Sequence, residues 1–504
     1  FSTDVTQFTS SGSSRLVPAT GRVENVVQNT GFNSIQSAVD ATARGDTIEI
    51  SAGTYAETVT IDQKEITVQG PNNNVAGNDS GSRGAEALIT GGVVITASDV
   101  ILTGVSVTTD NRDGVRIKSA SDGSAPSRVT IANSVIQDIT GNKKAGNGVQ
   151  IDFSGTADEE VANVEITGNR IANVQTKTGD DSRSDAIGIN VLPRGNDIPN
   201  LAITDNVITD IEPASASRSE SRAISIDTQF KDKPGDSNPG AFGQVTGAVI
   251  SGNEISGLEA DYARAISLFE DSAGSDSSGG TPLGPTDFEI SQNTISDITS
   301  TGDDGTDNFP SLSLYVGEYP DFGSDHKVTD NVFLDGVLNF APGSNSDTLE
   351  ASNNWWGATD GPSDEFERLP GASVSTFGGN GVGAGNGPIN IDPASVSTGR
   401  VDLETPFIGT ITDSETELTT AANAAAGFTI NNTLGGPADG TLVIEIAGTE
   451  FVFEDALDGG ELTSTASDSN GPTDIANTQT TDERTISVVG NSPSTAIANA
   501  GTVR

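Results

Sequence analysis

Val164-Glu165-Ile166-Thr167-Gly168-Asn169-Arg170-Ile171-Ala172-Asn173-Val174 shows the repeating unit of this chain at its clearest. Apolar residues alternate with polar ones before Asn169 and resume two residues after it. Such a pattern reads as two short strands joined at a bend, with the Asn supplying a left-handed backbone. The phrase recurs as Val129-Ile131-Ser134-Ile136-Ile139, Leu201-Ile203-Asn206-Ile208-Ile211, Ala248-Ile250-Asn253-Ile255-Leu258 and Phe288-Ile290-Asn293-Ile295-Ile298. Two further copies are Val328-Asn331-Phe333, with His326 in the first slot, and Leu349-Ala351-Asn354-Trp356. A single unit of this kind cannot bury its own apolar face, whereas a stack of them can.

A second phrase alternates with the first: Val115-Ile117, Val149-Ile151, Ile187-Ile189, Ile224-Ile226, Ile266-Leu268, Leu312-Leu314 and a degenerate Val337-Asn339. Three strands per period, with the Asn landmarks spaced 35, 37, 47, 40, 38 and 23 residues apart, fit a minimal coil carrying loops of variable length. The expected fold is all-β: a right-handed parallel β-helix. Ile35, Ala38, Val39 and Ala41 sit near helical spacing and Gly45 follows, which predicts a capping helix over the open end of the stack. The expected divisions are an extended arm at 1–30, the capped β-helix at 31–395, and a small C-terminal β-sandwich at 396–504. In the last, Leu442–Ile446 and Phe451–Phe453 flank Ala447-Gly448-Thr449 as a hairpin.

The chain has 504 residues, 71 of them acidic and 25 basic, for a formal charge of −46. That excludes general nucleic-acid binding by phosphate neutralisation. Acidity spread along a folded chain points to adaptation to high salt, where counter-ions screen self-repulsion. With no cysteine there is no disulfide or thiolate site, and with one histidine no multi-imidazole metal site. His326, in an apolar slot, reads as structural. No apolar run reaches membrane-spanning length. The chain starts at Phe1, which reads as a mature exported form and predicts an extracellular or cell-surface location. Asn78 and Asn431 each begin a glycosylation sequon.

Ile35-Gln36-Ser37-Ala38-Val39-Asp40, Gly45-Asp46-Thr47-Ile48-Glu49-Ile50 and Gly53-Thr54-Tyr55-Ala56-Glu57-Thr58-Val59 together resemble the N-terminal cap and first coil of the pectin-lyase-like superfamily. Asn353-Asn354-Trp355-Trp356-Gly357 with Asp360-Gly361-Pro362 is similar to the closing motif of secreted and surface β-helix proteins. The resemblance covers residues 31–395 and implies a fold rather than an activity, because the superfamily spans lyases, hydrolases, esterases, tail spikes and adhesins. Polygalacturonases of this superfamily carry Gly-His-Gly, which is missing here. Arg116-Ile117-Lys118 stands ahead of both Gly-Asp-Asp stretches, at Gly179 and Gly302, and reads as a chance match.

The outward column three residues after the first apolar position of the second phrase is expected to run Lys118, Asp152, Asn190, Asp227, Phe269, Tyr315, ending at Phe340. It is the candidate glycan-binding column, set against a plain solvated face. A neighbouring column, Asp113, Asn147, Asp185, Arg222, Arg264, predicts an Asp185–Arg222 ion pair across coils. Oxygen-rich loops at Asp110 and Asp113, and at Asp303, Asp304 and Asp307, are the candidate Ca²⁺ ligands. Asp152 and Asp227 stand two coils apart, and neither sits in the apolar setting that makes a carboxyl a proton donor, so the sequence predicts no hydrolysis. The expected function is a non-enzymatic structural or adhesive surface protein, self-associating head to tail through the arm and the C-terminal domain into a fibre. The alternative is a polysaccharide lyase or glycoside hydrolase acting along the outward groove.

Overall fold

The computed structural model describes residues 22–142 continuously. Beyond them it describes 145–153, 163–177, 184–193, 196–214, 219–229, 244–271, 285–302, 311–319, 326–342, 349–351, 354–356, 383–385, 389–390 and eight strands between 408 and 503. The chain forms two compact units. One is Phe1–Phe288 with Ile298–Pro310 and Glu318–Phe322, and the other is Glu289–Asp297 with Ser311–Gly317 and Gly323–Arg504.

The first unit is a parallel β-helix of three sheets. Sheet I holds the strands before each bend, Val129–Ala132, Val164–Thr167, Ala202–Thr204 and Val249–Ser251. Sheet II holds those after it, Val135–Thr140, Arg170–Gln175, Val207–Glu212 and Glu254–Ala260. Sheet III holds the second phrase, Asp113–Lys118, Ala145–Asp152, Ser184–Leu192, Ser219–Gln229 and Tyr262–Asp271. Pairing is in register, so like apolar residues stack: Val68 on Leu102, Ile131, Ile166, Ile203 and Ile250 in sheet I. All six are fully buried, each worth about 1.5–3 kcal/mol of transfer free energy.

The bend differs from its expected form in one respect. The left-handed residue is the one before the landmark: Asn133, Gly168, Asp205 and Gly252 have φ of 50°, 62°, 55° and 68°. The landmark Asn instead turns its side chain inward and bonds the coils together. Asn206 Nδ2 donates to the Ile166 carbonyl at 2.8 Å and to Asn253 Oδ1 at 3.0 Å, while Asn206 Oδ1 accepts from Asn169 N and Nδ2, both at 3.0 Å. The ladder begins on Ser134, whose N–H donates to Asn169 Oδ1 at 2.9 Å. A run of buried amides is tolerated because each one satisfies a main-chain group of its neighbour.

At the N-terminal end the helix Ile35–Asp40 buries Ile35, Ala38 and Val39. Ser34 caps it, and the Glu57 carboxylate accepts from Ile35 N and Gln36 N, both at 2.9 Å. The tail of the expected arm is not simply extended: Val23–Asn25 pairs antiparallel with Thr30–Phe32 and with the first coil strand Thr47–Ile50. This reversal covers an edge that would otherwise offer unpaired N–H and C=O groups. Residues 1–21, on which the expected fibre contact rested, lie outside the described residues.

In the second unit the amide ladder runs Asn293, Asn331, Asn354, with Asn331 N donating to Asn354 Oδ1 at 2.9 Å. Trp356 is buried against Phe333, ring centroids 5.0 Å apart. His326 is buried at the start of the Lys327–Thr329 strand. Further on, Ile408–Thr410, Gly427–Asn431, Glu483–Val489 and Asp474–Thr480 form one four-stranded sheet. Leu418–Thr420, Gly501–Val503, Leu442–Ile446 and Thr449–Phe453 form another, with the expected hairpin between the last two.

Candidate functional site

Sheet III carries the polar outer face. Val115 and Ile117, Val149 and Ile151, Ile189 and Val191, Ile224 and Ile226, and Ile266 and Leu268 all point inward and are fully buried. The residues between and after them therefore form outward columns. One column pairs Lys118 with Asp152, Asp152 with Leu192, and Asp227 with Phe269. The next pairs Arg116 with Gln150, Gln150 with Asn190, Asn190 with Ser225, and Ser225 with Ser267.

Two corrections follow. Asn190 leaves the column of Lys118, Asp152 and Asp227, and Leu192 takes its place, because Val149 pairs with Ile189 and Ile151 with Val191. The run Ile187-Gly188-Ile189-Asn190-Val191 offers three apolar residues at spacing two, and a slip of two keeps every side chain on its own face. The same slip puts Asp185 opposite Ala145 and Glu220, so Ile187 rather than Asp185 faces Arg222 across the ladder. Arg222 makes an ion pair with Glu220.

Phe269 follows Asp227 in register, but its side chain, like that of Phe340, lies outside the described residues. Tyr315 belongs to the second unit, half-buried, its ring folded over Gly317, where a Cβ would lie 2.4 Å from the ring. Asp303, Asp304 and Asp307 are outside the described residues. Asp110 is exposed, and its main-chain carbonyl accepts from Lys177 Nζ at 2.8 Å. Among the described residues no three His, Asp or Glu side chains gather as a metal-holding group. Asn78 is exposed; the Asn431 side chain is outside the described residues.

The groups that do come together are Asp113, Arg116, Asn147, Gln150, Asp152 and Asn190. Arg116 donates to Asp152 Oδ2 at 2.7 Å and stands 4.0 Å from Asp113. Asn147 Nδ2 donates to Asp113 Oδ1 at 2.6 Å, and its own oxygen accepts from Asn190 Nδ2 at 3.2 Å. Burial pushes the Asp113 carboxyl above the usual carboxylate range, and the Asp152 charge adds to the push. The Asn147 hydrogen bond and the charges of Arg112 and Arg116 offset only part of it.

Gln150 is wholly buried, yet among the described residues neither its oxygen nor its nitrogen finds a hydrogen-bond partner. The same holds for Asn190 Oδ1 and for the buried hydroxyls of Ser225 and Ser267. Each such orphan costs about 1–3 kcal/mol if nothing meets it. Sequence reasoning missed Gln150, Ser225 and Ser267, although the position between two inward apolar residues was the signal that places them. A different depression, about 560 Å³, lies over sheet I, lined by Asp99, Arg128, Thr130, Glu165 and Ala202 among others. Its rim is an ordinary Asp99–Arg128 ion pair.

No protein-family model and no curated protein matches the chain. Among solved structures it is similar to a mannuronic-acid-specific polysaccharide lyase of family 6 from human gut microbiota, at 13% identity over 70% of this chain and 79% of that one, with a TM-score of 0.28. It is also similar to the tailspike of Acinetobacter baumannii bacteriophage Fri1, a capsular polysaccharide depolymerase, at 11% identity over 93% and 81%, with a TM-score of 0.30. Scores of that size carry no argument about activity. Both matches are described as acting on polysaccharide, and the expectation of a non-enzymatic structural or adhesive body is withdrawn for its alternative, whose ground lies in the geometry of sheet III. The outward face that was set against the glycan column as plainly solvated is built of buried carboxylate, guanidinium and amide groups.

Proposed function

We propose that the chain cleaves glycosidic bonds of a polysaccharide lying along the outer face of sheet III, outside the cell. Among the described residues no helix is long and apolar enough to cross a membrane. The observation that carries the reading is the carboxyl pair on adjacent coils: Asp113, made a better proton donor by burial, and Asp152, held by the Arg116 that stands between them. Two carboxyls in unlike settings are what acid–base cleavage of a glycoside requires. Asp113 gives its proton to the leaving oxygen as the bond to the anomeric carbon breaks. Asp152 meets the positive charge that develops there and takes the proton lost by the water that bonds to the anomeric carbon in the leaving group's place. Asn147 and Arg116 are positioning residues, fixing the two carboxyls.

The test is release of new reducing ends from a panel of soluble polysaccharides. Activity is expected, lost by about 10²-fold or more in Asp113→Asn and in Asp152→Asn. Absence of cleavage across the panel, or full activity in both variants, overturns the reading. Unsaturated products would show elimination instead and remove Asp113 from the role of acid.

A further inference from the structure

We infer that the depression over sheet I is a second carbohydrate site, separate from the carboxyl pair, which holds a short stretch of a neutral polysaccharide. The inference rests on the cleavage reading above for the ligand being a polysaccharide, and on a different face of the coils for the site. The depression measures about 560 Å³, within the range of about 300–1,000 Å³ usual for ligand sites. Its floor is the row Ile101, Thr130, Glu165 and Ala202, one outward residue from each of four successive strands in register. The residues two places before these, Asp99, Arg128, Asn163 and Asn200, form its wall, each at a left-handed turn. Four strands at spacings of about 4.8 Å make a groove about 14 Å long, the span of about three pyranose rings. It is open to solvent: Arg128, Asn163, Glu165 and Asn200 are exposed, and Ile101 is 42% exposed. The strands of Thr130 and Glu165 directly follow, along the chain, those of Asp113 and Asp152.

The groups left open in this groove are those that a sugar takes. Asn163 and Asn200, on neighbouring coils, each present a side-chain amide with no hydrogen bond among the described residues, able both to give and to accept. Glu165 meets only the Thr130 hydroxyl, 3.5 Å from its Oε2, which leaves a carboxylate to accept from a pair of adjacent hydroxyls. Ile101 offers an apolar surface at one end, against which the C–H face of a ring can lie. Charge selects the neutral polymer. Asp99 and Arg128 neutralise each other through hydrogen bonds of 2.5 and 2.8 Å, so the uncompensated charge among the lining residues is the Glu165 carboxylate, which a uronate would meet as a like charge. The formal charge of −46 on the chain adds a long-range repulsion of polyanions at low salt.

Affinity electrophoresis of the full chain tests this, with galactan, glucomannan and dextran in one set of gels and polygalacturonate and alginate in another. Retardation is expected in at least one neutral gel and in neither polyuronate gel. Asp113→Asn, which silences the carboxyl pair, should keep that retardation. Asn163→Ala combined with Asn200→Ala should weaken it about tenfold or more, as should Ala202→Arg, which fills the groove from its floor. Both changes lie on the open face, so Tm should hold, and KM on the retarding polymer should rise with kcat unchanged. Groove variants that are retarded as the parent is overturn the inference. So does preference for the polyuronates, and so does free migration in all three neutral gels. The cleavage reading is decided apart from this, by the release of reducing ends. A chain whose retardation is lost in the groove variants but which cuts nothing would keep the groove site and lose the cleavage reading.

Discussion

At the scale of the residue, the landmark Asn is the plainest case of a role read correctly in position and differently in physics. Alternation around Asn169 and Asn206 marked the bend, but two neighbouring polar positions compete for the left-handed backbone, and period alone does not choose between them. The choice went to Gly168 and Asp205, freeing each Asn to bridge coils. Asn206→Ala would take the side-chain partner from Ile166 O and from Asn169 N–H inside the protein. A loss of about 3 kcal/mol in urea unfolding is expected, with Gln175→Ala, at an exposed strand position, near zero. Asp113 gives a prediction with a sign. Its folded pKa is raised, so between the ordinary carboxylate value of about 3.9 and that raised value the folded state holds more protons than the unfolded. Stability contributed by Asp113 is therefore present at low pH and falls as pH climbs through that window. Urea midpoints should show Asp113→Asn gaining on the parent as pH rises, with the difference closing below the window. An unchanged difference across it would show that the group titrates normally.

At the scale of the element, the strands were legible because inward residues repeat every second position. What holds them at the ends was less so. The helix Ile35–Asp40 could be placed from its apolar spacing, whereas its second anchor, Glu57, comes from the following coil and leaves no local pattern. The slip at Ile187 has the same origin, since three candidate inward residues fit two slots and only the neighbouring strands select between them. The loop 71–86 is another element fixed from afar. The Arg83 guanidinium is buried, donates to the carbonyls of Val75 and Asn133 at 2.8 and 2.9 Å, and pairs with Glu86. Beneath that loop, Gly104 has φ of 65° and a Cβ there would fall 2.1 Å from Asn73 N. Arg83→Ala is expected to cost about 2–3 kcal/mol and to raise amide exchange in the loop by 10-fold or more, with the amides of Ala132 and Val164 little changed. Equal exchange in loop and sheet would mean the loop has no separate hold.

At the scale of the whole molecule, charge is the property that composition alone determines. With −46 on one chain and a Debye length that grows from about 3 Å at 1 M to about 30 Å at 0.01 M salt, self-repulsion should lower Tm steadily on dialysis. Circular dichroism melts across that range check it, and a Tm independent of salt would count against it. The site itself was only half legible at this scale: its columns followed from the period, but burial of outward polar groups depends on neighbours that a linear reading does not supply. The amide ladder has one more implication. Each Asn takes its main-chain partner from the coil before and its amide partner from the coil after, so successive coils present identical terminals across intervals as different as 37 and 47 residues. A coil is thus an interchangeable part, and a duplicated or deleted one would find the same two sockets waiting, which gives a gene of this kind a way to lengthen or shorten its product without redesigning any joint.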